Sequence, residues 1–238
     1  MWETPKKLGI VIERTMWALL FFPLQASAQE TSMAFSLKPY YAIVDTTEKD
    51  IYDRTVKVKW LNSTIEILAP ASEQNQKAAN EKLKQLFEKK GMPFDSLGTQ
   101  RMQQSFAQNC HSFALEQYFK SKKIEDGVLF TPSTRLFDKE LEKILRESFT
   151  LIRKFTQKEF IKAQKELPQG ILLVFRNQSH SPFHSVFYNN GFYSKNGAFG
   201  ARVFPDVKPI LKSYFDTAFI EAYAIDQTKF DYFKIIRP

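Results

Sequence analysis

"QNCHSFALEQYF", residues 108 to 119, holds the only cysteine of the chain and sets a histidine directly after it. Phe106, Cys110, Phe113, Ala114 and Tyr118 recur at helical spacing, with Ser105 or Asn109 available as the cap, so the pattern predicts a helix over 105–122. Cys110 then falls in its first turn or so, where the backbone dipoles favour an anion and a thiol ionises more readily. Two readings compete. A lone cysteine on an apolar helix face is a small hydrophobe that packs, whereas a cysteine at a helix start with a base nearby is a nucleophile.

A base must come from the three histidines. His111 neighbours Cys110, but consecutive helix residues point about 100° apart, which makes it a structural or rim residue. His180 lies in the polar loop "NQSHSPF", where a solvated histidine is expected. His184 opens the strand "HSVFY", after a buried-looking strand and before a tight turn, and can project toward a helix packed on the sheet. It is the base we select, with the satisfied polar group as its bland alternative.

Toward the N-terminus, "YYAIVD" (40–45), "TVKVKWL" (55–61) and "STIEILAP" (63–70) are rich in β-branched and aromatic residues and read as strands within an N-terminal region 29–70. Ser72 caps a helix over 72–91, with Ala79, Leu83, Leu86 and Phe87 on one face and Gly91 at its end. Beyond the cysteine, Asp138 is expected to cap the helix "KELEKILRESFTLIRKF". Thr156 with Glu159 forms a capping box that starts another, so 138–167 reads as a helical insertion. From 168 to 238 the character changes to strands: "GILLVFRNQ", "HSVFYNN", "FYSKN" and "FIEAYAI", with Asn190-Gly191 as a hairpin turn. Helices followed by an antiparallel sheet make an α+β arrangement in a single domain, 29–238.

The first segment carries Lys6, Lys7 and Arg14, then an apolar run from Met16 to Leu24, then Ala26, Ser27 and Ala28. It reads as a signal peptide (1–28) cleaved after Ala28, which would place the product in the periplasm or outside the cell. The apolar run is too short to cross a bilayer comfortably, so no stable membrane span remains after cleavage. Removing three basic and two acidic residues lowers the net charge from +8 to +7. The basic residues are scattered with no long run, which fits an anionic envelope better than nucleic acid. One cysteine forms no internal disulfide. One cysteine and three histidines without an HExxH pattern offer no metal ligand set, and 8 glycines give no phosphate loop, so no cofactor is expected.

"NCHSFALEQYF", the strand "GILLVF", "HSVFYNNGFYSKNG" and their order resemble the NlpC-type cell-wall peptidases and amidases of the papain-like cysteine peptidase superfamily. Within it they are similar to a subgroup of secreted bacterial proteins with an Asn-Cys-His-Ser-Tyr-Ala motif. The matching pieces span 104–119 and 168–200. The resemblance implies a papain-like NlpC-type fold, a nucleophile helix on an antiparallel sheet or half-barrel, with Cys110 as nucleophile and His184 as general base. A third polar residue would come from the following strand. Ser194 and Asn196 are the candidates, since alternation places both on one side and Lys195 on the other. Asn196 stands where the subgroup carries Trp. Gln104, six residues before Cys110, has the offset of a papain-like oxyanion glutamine and is otherwise an ordinary surface residue. His111, Tyr188, Tyr193 and Lys195 are placed along a substrate groove, with core or rim packing as the alternative for the aromatics.

The expectation is an exported cysteine hydrolase that cuts amide bonds in an envelope peptide, with peptidoglycan stem peptides as substrate. A non-catalytic envelope-binding or scaffold protein on the same fold is the alternative, and an inhibitor of such an enzyme is a third.

Overall fold

The computed structural model describes residues 41–50, 53–61, 63–96, 99, 108–122, 130, 132–197, 200–226 and 228. The leader and Gln104 lie outside the described residues. The chain from Leu37 onward forms one compact unit.

Strands β1 (Tyr41–Glu48), β2 (Asp53–Trp60), β3 (Ser63–Pro70) and the short β4 (Arg135–Leu136) form a four-stranded sheet in that order. Helix α1 (Glu73–Lys89) follows β3, its start closed by the Ser72 side chain accepting from the Asn75 N–H. Helix α2 (Cys110–Ser121) is the cysteine helix. Helix α3 (Asp138–Ser148) is followed by β5 (Phe149–Thr156), then α4 (Gln157–Ala163) behind the Thr156 and Glu159 capping box. Strands β6 (Ile171–Arg176), β7 (Pro182–Tyr188), β8 (Phe192–Ser194), β9 (Arg202–Phe204), helix α5 (Lys208–Ser213) and β10 (Phe219–Ile225) complete the described chain. The second sheet runs β5-β10-β6-β7-β8-β9, and the pairings of both sheets are antiparallel. The protein is therefore α+β. No helix among the described residues is long and apolar enough to cross a membrane.

The continuous apolar run of β6 is explained by burial on both faces of the second sheet. Leu172 and Val174 point into a core shared with Val58, Trp60, Ile65 and Ile67 of the first sheet and with Leu115, Tyr118 and Phe119 of α2. Ile171, Leu173 and Phe175 point the other way, into a core closed by Phe160 of α4 and Ile210 and Leu211 of α5. Helix α2 thus lies in the first core and buries most of its circumference. Each fully buried large side chain there contributes about 1.5–3 kcal/mol of transfer free energy. The Tyr118 hydroxyl accepts from the Ile225 N–H at 2.7 Å and ties the far end of α2 to β10.

One expectation is corrected. The segment 149–156 is strand, not the second half of a helix, and it pairs with β10 along its length. Phe149, Thr150, Leu151 and Ile152 are aromatic or β-branched with one exception, and such residues gain more on a pleated surface than in a helix. The inserted helices of 138–167 are thereby divided by an edge strand of the main sheet.

Candidate active site

Asn109 fixes the start of α2. Its Oδ1 accepts from the Ser112 N–H at 3.1 Å and the Leu136 N–H at 3.2 Å, and its Nδ2 donates to the Leu136 carbonyl at 2.6 Å. The Ser112 hydroxyl donates to the Thr134 carbonyl at 2.6 Å. The helix start is pinned to β4 and the segment before it, and Cys110 occupies the first helical position. Its own N–H is one of the terminal donors that have no partner within a helix.

His184 is fully buried on β7, opposite Phe175 of β6. Tyr214, at the end of α5, stacks on its ring at 3.8 Å between centroids and 15° between planes, and the Phe175 ring meets it edge-on at 5.5 Å. Nε2 lies 2.9 Å from Ser194 Oγ, and the Ser194 hydroxyl donates to Asn196 Oδ1 at 2.6 Å. A serine hydroxyl has one proton. Since that proton goes to Asn196, Ser194 receives from His184, so Nε2 carries the hydrogen and Nδ1 is left with a lone pair. Nδ1 is buried with no oxygen or nitrogen partner among the described residues, which leaves it to the Cys110 thiol.

Cys110 is half-buried and interacts with both neighbouring histidines. Burial pushes its thiol up, but the His111 charge, hydrogen bonding with His111 and His184, and the His184 charge together outweigh it. The thiol is held well below its ordinary value. His111 is wired differently from His184: its Nδ1 is 2.7 Å from Ser185 Oγ on β7 and its Nε2 is 3.1 Å from Asp138 Oδ1 at the start of α3. Burial lowers its pKa, but the Cys110 charge, the Asp138 hydrogen bond, the Cys110 hydrogen bond and the Asp138 charge raise it to about 9.

Lys195 is buried at 5% exposure, donates to the Gly197 carbonyl at 3.1 Å, and faces the Cys110 charge. Burial lowers its pKa and the thiolate works against that. Gly197 has φ +57, a left-handed conformation that glycine adopts without strain, and it turns the chain so that its N–H reaches the Tyr214 hydroxyl. Burial, then the Cys110 charge, push the Tyr214 phenol upward, so it stays a neutral donor.

The structure therefore brings Cys110, His184, Ser194, Asn196, His111 and Lys195 together. Two groove assignments change, those of His111 and Tyr188. His111 is 2% exposed with both nitrogens engaged internally, so it lines no open groove. The rotation between consecutive helix residues separates their Cβ atoms, yet a long ring anchored by Ser185 still reaches the sulfur. Tyr188 is 8% exposed and packs on Phe192 in the second core. Tyr193 is half-buried against Phe187 at the margin of the first core. His180 stacks on Phe219 in an exposed loop, apart from these residues.

Tyr214, Ser185 and the partnership of Asp138 with His111 were not visible in the sequence. The sequence pattern makes Asp138 a helix cap, but α3 starts without a side-chain cap bond and the carboxylate faces His111 instead. No local spacing links residues that meet only through packing of α3, α5 and β7.

Among the described residues no cluster of three or more His, Cys, Asp or Glu could hold a metal ion. Comparison of the chain with protein-family models, with curated proteins and with solved structures found no match.

Proposed function

We propose that the protein is a cysteine hydrolase of papain-like, NlpC-type architecture that opens amide or peptide bonds. The observation that carries this reading is the wiring of His184: a buried ring clamped by Tyr214, with Nε2–H committed to Ser194 and Nδ1 left to a thiol that is held below its ordinary value. A histidine kept only for packing would have no reason to leave a buried nitrogen with nothing but a thiol beside it, since a poorly satisfied buried polar atom costs up to about 1–3 kcal/mol.

The chemistry follows from the wiring. Nδ1 of His184 takes the Cys110 proton, and the sulfur attacks the carbonyl carbon, forming the C–S bond as the carbonyl electrons move to oxygen. The Cys110 N–H at the helix start is placed to stabilise that oxyanion. Collapse breaks the C–N bond, and Nδ1–H of His184 protonates the leaving amine. Water, deprotonated by the same nitrogen, then attacks the thioester, releasing the acid and regenerating the sulfur. Ser194 and Asn196 hold the ring in the tautomer this sequence needs. Lys195 and His111 make the surroundings of the sulfur cationic, in keeping with carboxylate-bearing substrates. Export to the periplasm or beyond, from the leader pattern of residues 1–28, makes peptidoglycan stem peptides the substrate we assign.

The test is digestion of purified peptidoglycan, read as soluble fragments, by the wild type and by the Cys110→Ala and His184→Ala variants. Release by the wild type that both substitutions abolish supports the reading. A wild type that releases nothing and whose thiol reacts with iodoacetamide no faster than a free thiol refutes it in favour of a binding scaffold.

A further inference from the structure

Beside Cys110 stand two histidines with opposite hydrogen-bonding states. His184 keeps one nitrogen for the thiol alone; both nitrogens of His111 are also held by Ser185 and Asp138. A base in turnover must give and take a proton, and a ring with an open lone pair does so. A ring gripped at both nitrogens, one of them by a carboxylate, is suited instead to remain an imidazolium.

We propose that the two roles are divided: His184 moves the proton, while His111, held by Asp138 and Ser185, is the standing positive charge that keeps Cys110 as a thiolate. This rests on the hydrolase reading for its meaning in turnover, but the charge partnership itself is separable from it. His111 is 2% exposed, so solvent screens its field weakly. Asp138 is 59% exposed and supplies the balancing charge from the protein surface. The groups that act on the pair are few. Cys110 and His184 face it from α2 and β7, and Lys195 and Tyr214 lie near the sulfur. On its open side Asp138 shares a shallow groove with Lys49, Glu66 and Lys139. Asp138 and Ser185 act through His111 and are positioning residues.

The consequence is a thiolate that does not depend on His184. In a simple dyad, loss of the base returns the thiol to its ordinary value and abolishes turnover together. Here the two separate, because the charge that stabilises sulfur and the nitrogen that carries the proton belong to different rings. Asp138 then links an exposed carboxylate to the reactivity of a sulfur it does not touch.

The experiment is the rate of Cys110 alkylation by iodoacetamide across pH in the full-length protein, for the wild type and for His184→Ala, His111→Gln and Asp138→Asn, with fragment release from peptidoglycan measured in parallel. The expected result is a thiol that ionises well below about 8.5 in the wild type and stays low in His184→Ala although release is lost. His111→Gln should raise the ionisation midpoint by about 1 to 3 pH units, the range for removal of one opposite charge. Asp138→Asn should move it in the same direction by less, since asparagine still accepts from Nε2. Asp138 is largely exposed, so this variant keeps the test alive should His111→Gln not fold.

If His184→Ala alone returns the midpoint to that of a free thiol and Asp138→Asn leaves it unmoved, the division of roles is overturned while the hydrolase reading stands. If the midpoint shifts in His111→Gln and Asp138→Asn as expected but no protein releases fragments, the charge partnership holds and the hydrolase reading falls. A wild-type thiol with an ordinary midpoint overturns both.

Discussion

Replacing Ser194 by alanine removes the acceptor that fixes the His184 tautomer. His184 is fully buried and Ser194 is 1% exposed, so in the variant Nε2–H has no water to turn to. The hole left by one hydroxyl oxygen is too small to admit a water molecule. The cost is therefore the penalty of one buried unsatisfied donor, about 1–3 kcal/mol. In a chain of this length each kcal/mol lowers the melting temperature by about 2–4 °C, so a loss of about 2–12 °C is expected. If the whole penalty falls on the transition state, turnover drops roughly 5- to 160-fold. Asn196→Ala provides the contrast. It frees the Ser194 proton to swing toward Nε2, which moves the ring hydrogen to Nδ1 and removes the base. Asn196 is half-buried, so water can replace it there. Asn196→Ala should thus lower turnover with little change in melting temperature. Thermal unfolding and fragment release from peptidoglycan, measured on both variants, check this. Ser194→Ala indistinguishable from wild type in both readouts would refute the donor chain from His184 through Ser194 to Asn196.

Tyr214→Phe keeps the ring stacked at 3.8 Å and gives up only the bond from the Gly197 N–H, about 0.5–1.5 kcal/mol, while Tyr214→Leu loses the aromatic contact as well and about 0.5–1.5 kcal/mol more, read from urea midpoints. Equal midpoints for the two variants would mean the stack contributes nothing. Glu221 sits with Arg176 and Tyr223 and near Lys154; burial raises its carboxyl, but hydrogen bonds from Tyr223 and Arg176 and the charges of Arg176 and Lys154 bring it below its ordinary value. A carboxyl depressed in the folded state contributes stability that is complete above the unfolded value of 4.5 and is lost as pH falls through the folded value. Glu221→Gln should therefore cost about 1–3 kcal/mol at neutral pH, Arg176 keeping Glu142 as a partner. The gap from wild type should begin to narrow once the pH falls below 4.5 and close only as it passes the folded value. A gap that stays constant into acid would show that Glu221 contributes through shape rather than charge.

The candidate nucleophile and base were legible because each sits on an element with a strong local signal. An apolar helical repeat with Ser105 and Asn109 as possible caps announces a helix near the cysteine, and the structure starts it at Asn109, which delivers Cys110 to the first turn. "HSVFY" followed by Asn190-Gly191 announces a strand and its turn, and the structure closes it with Asn190 at φ +54 and the Asn189 N–H bonded to the Gly191 carbonyl. Ser194 and Asn196 shared a side by alternation alone. The strand at 149–156 was not legible, because "FTLIRKF" continues the amphipathic count of α3 and only its pairing with β10 decides against helix.

By itself the sequence determined the α+β class, the helix that carries the cysteine, the strand that carries His184 and the capping of α1 and α4, all consequences of patterns within about a dozen residues. The tertiary structure alone decided which nitrogen of His184 stays open, that Tyr214 clamps its ring, and that His111 reaches across to Ser185 and Asp138. Those outcomes depend on how separate elements pack and on where single hydrogens go. Chain spacing carries no record of either.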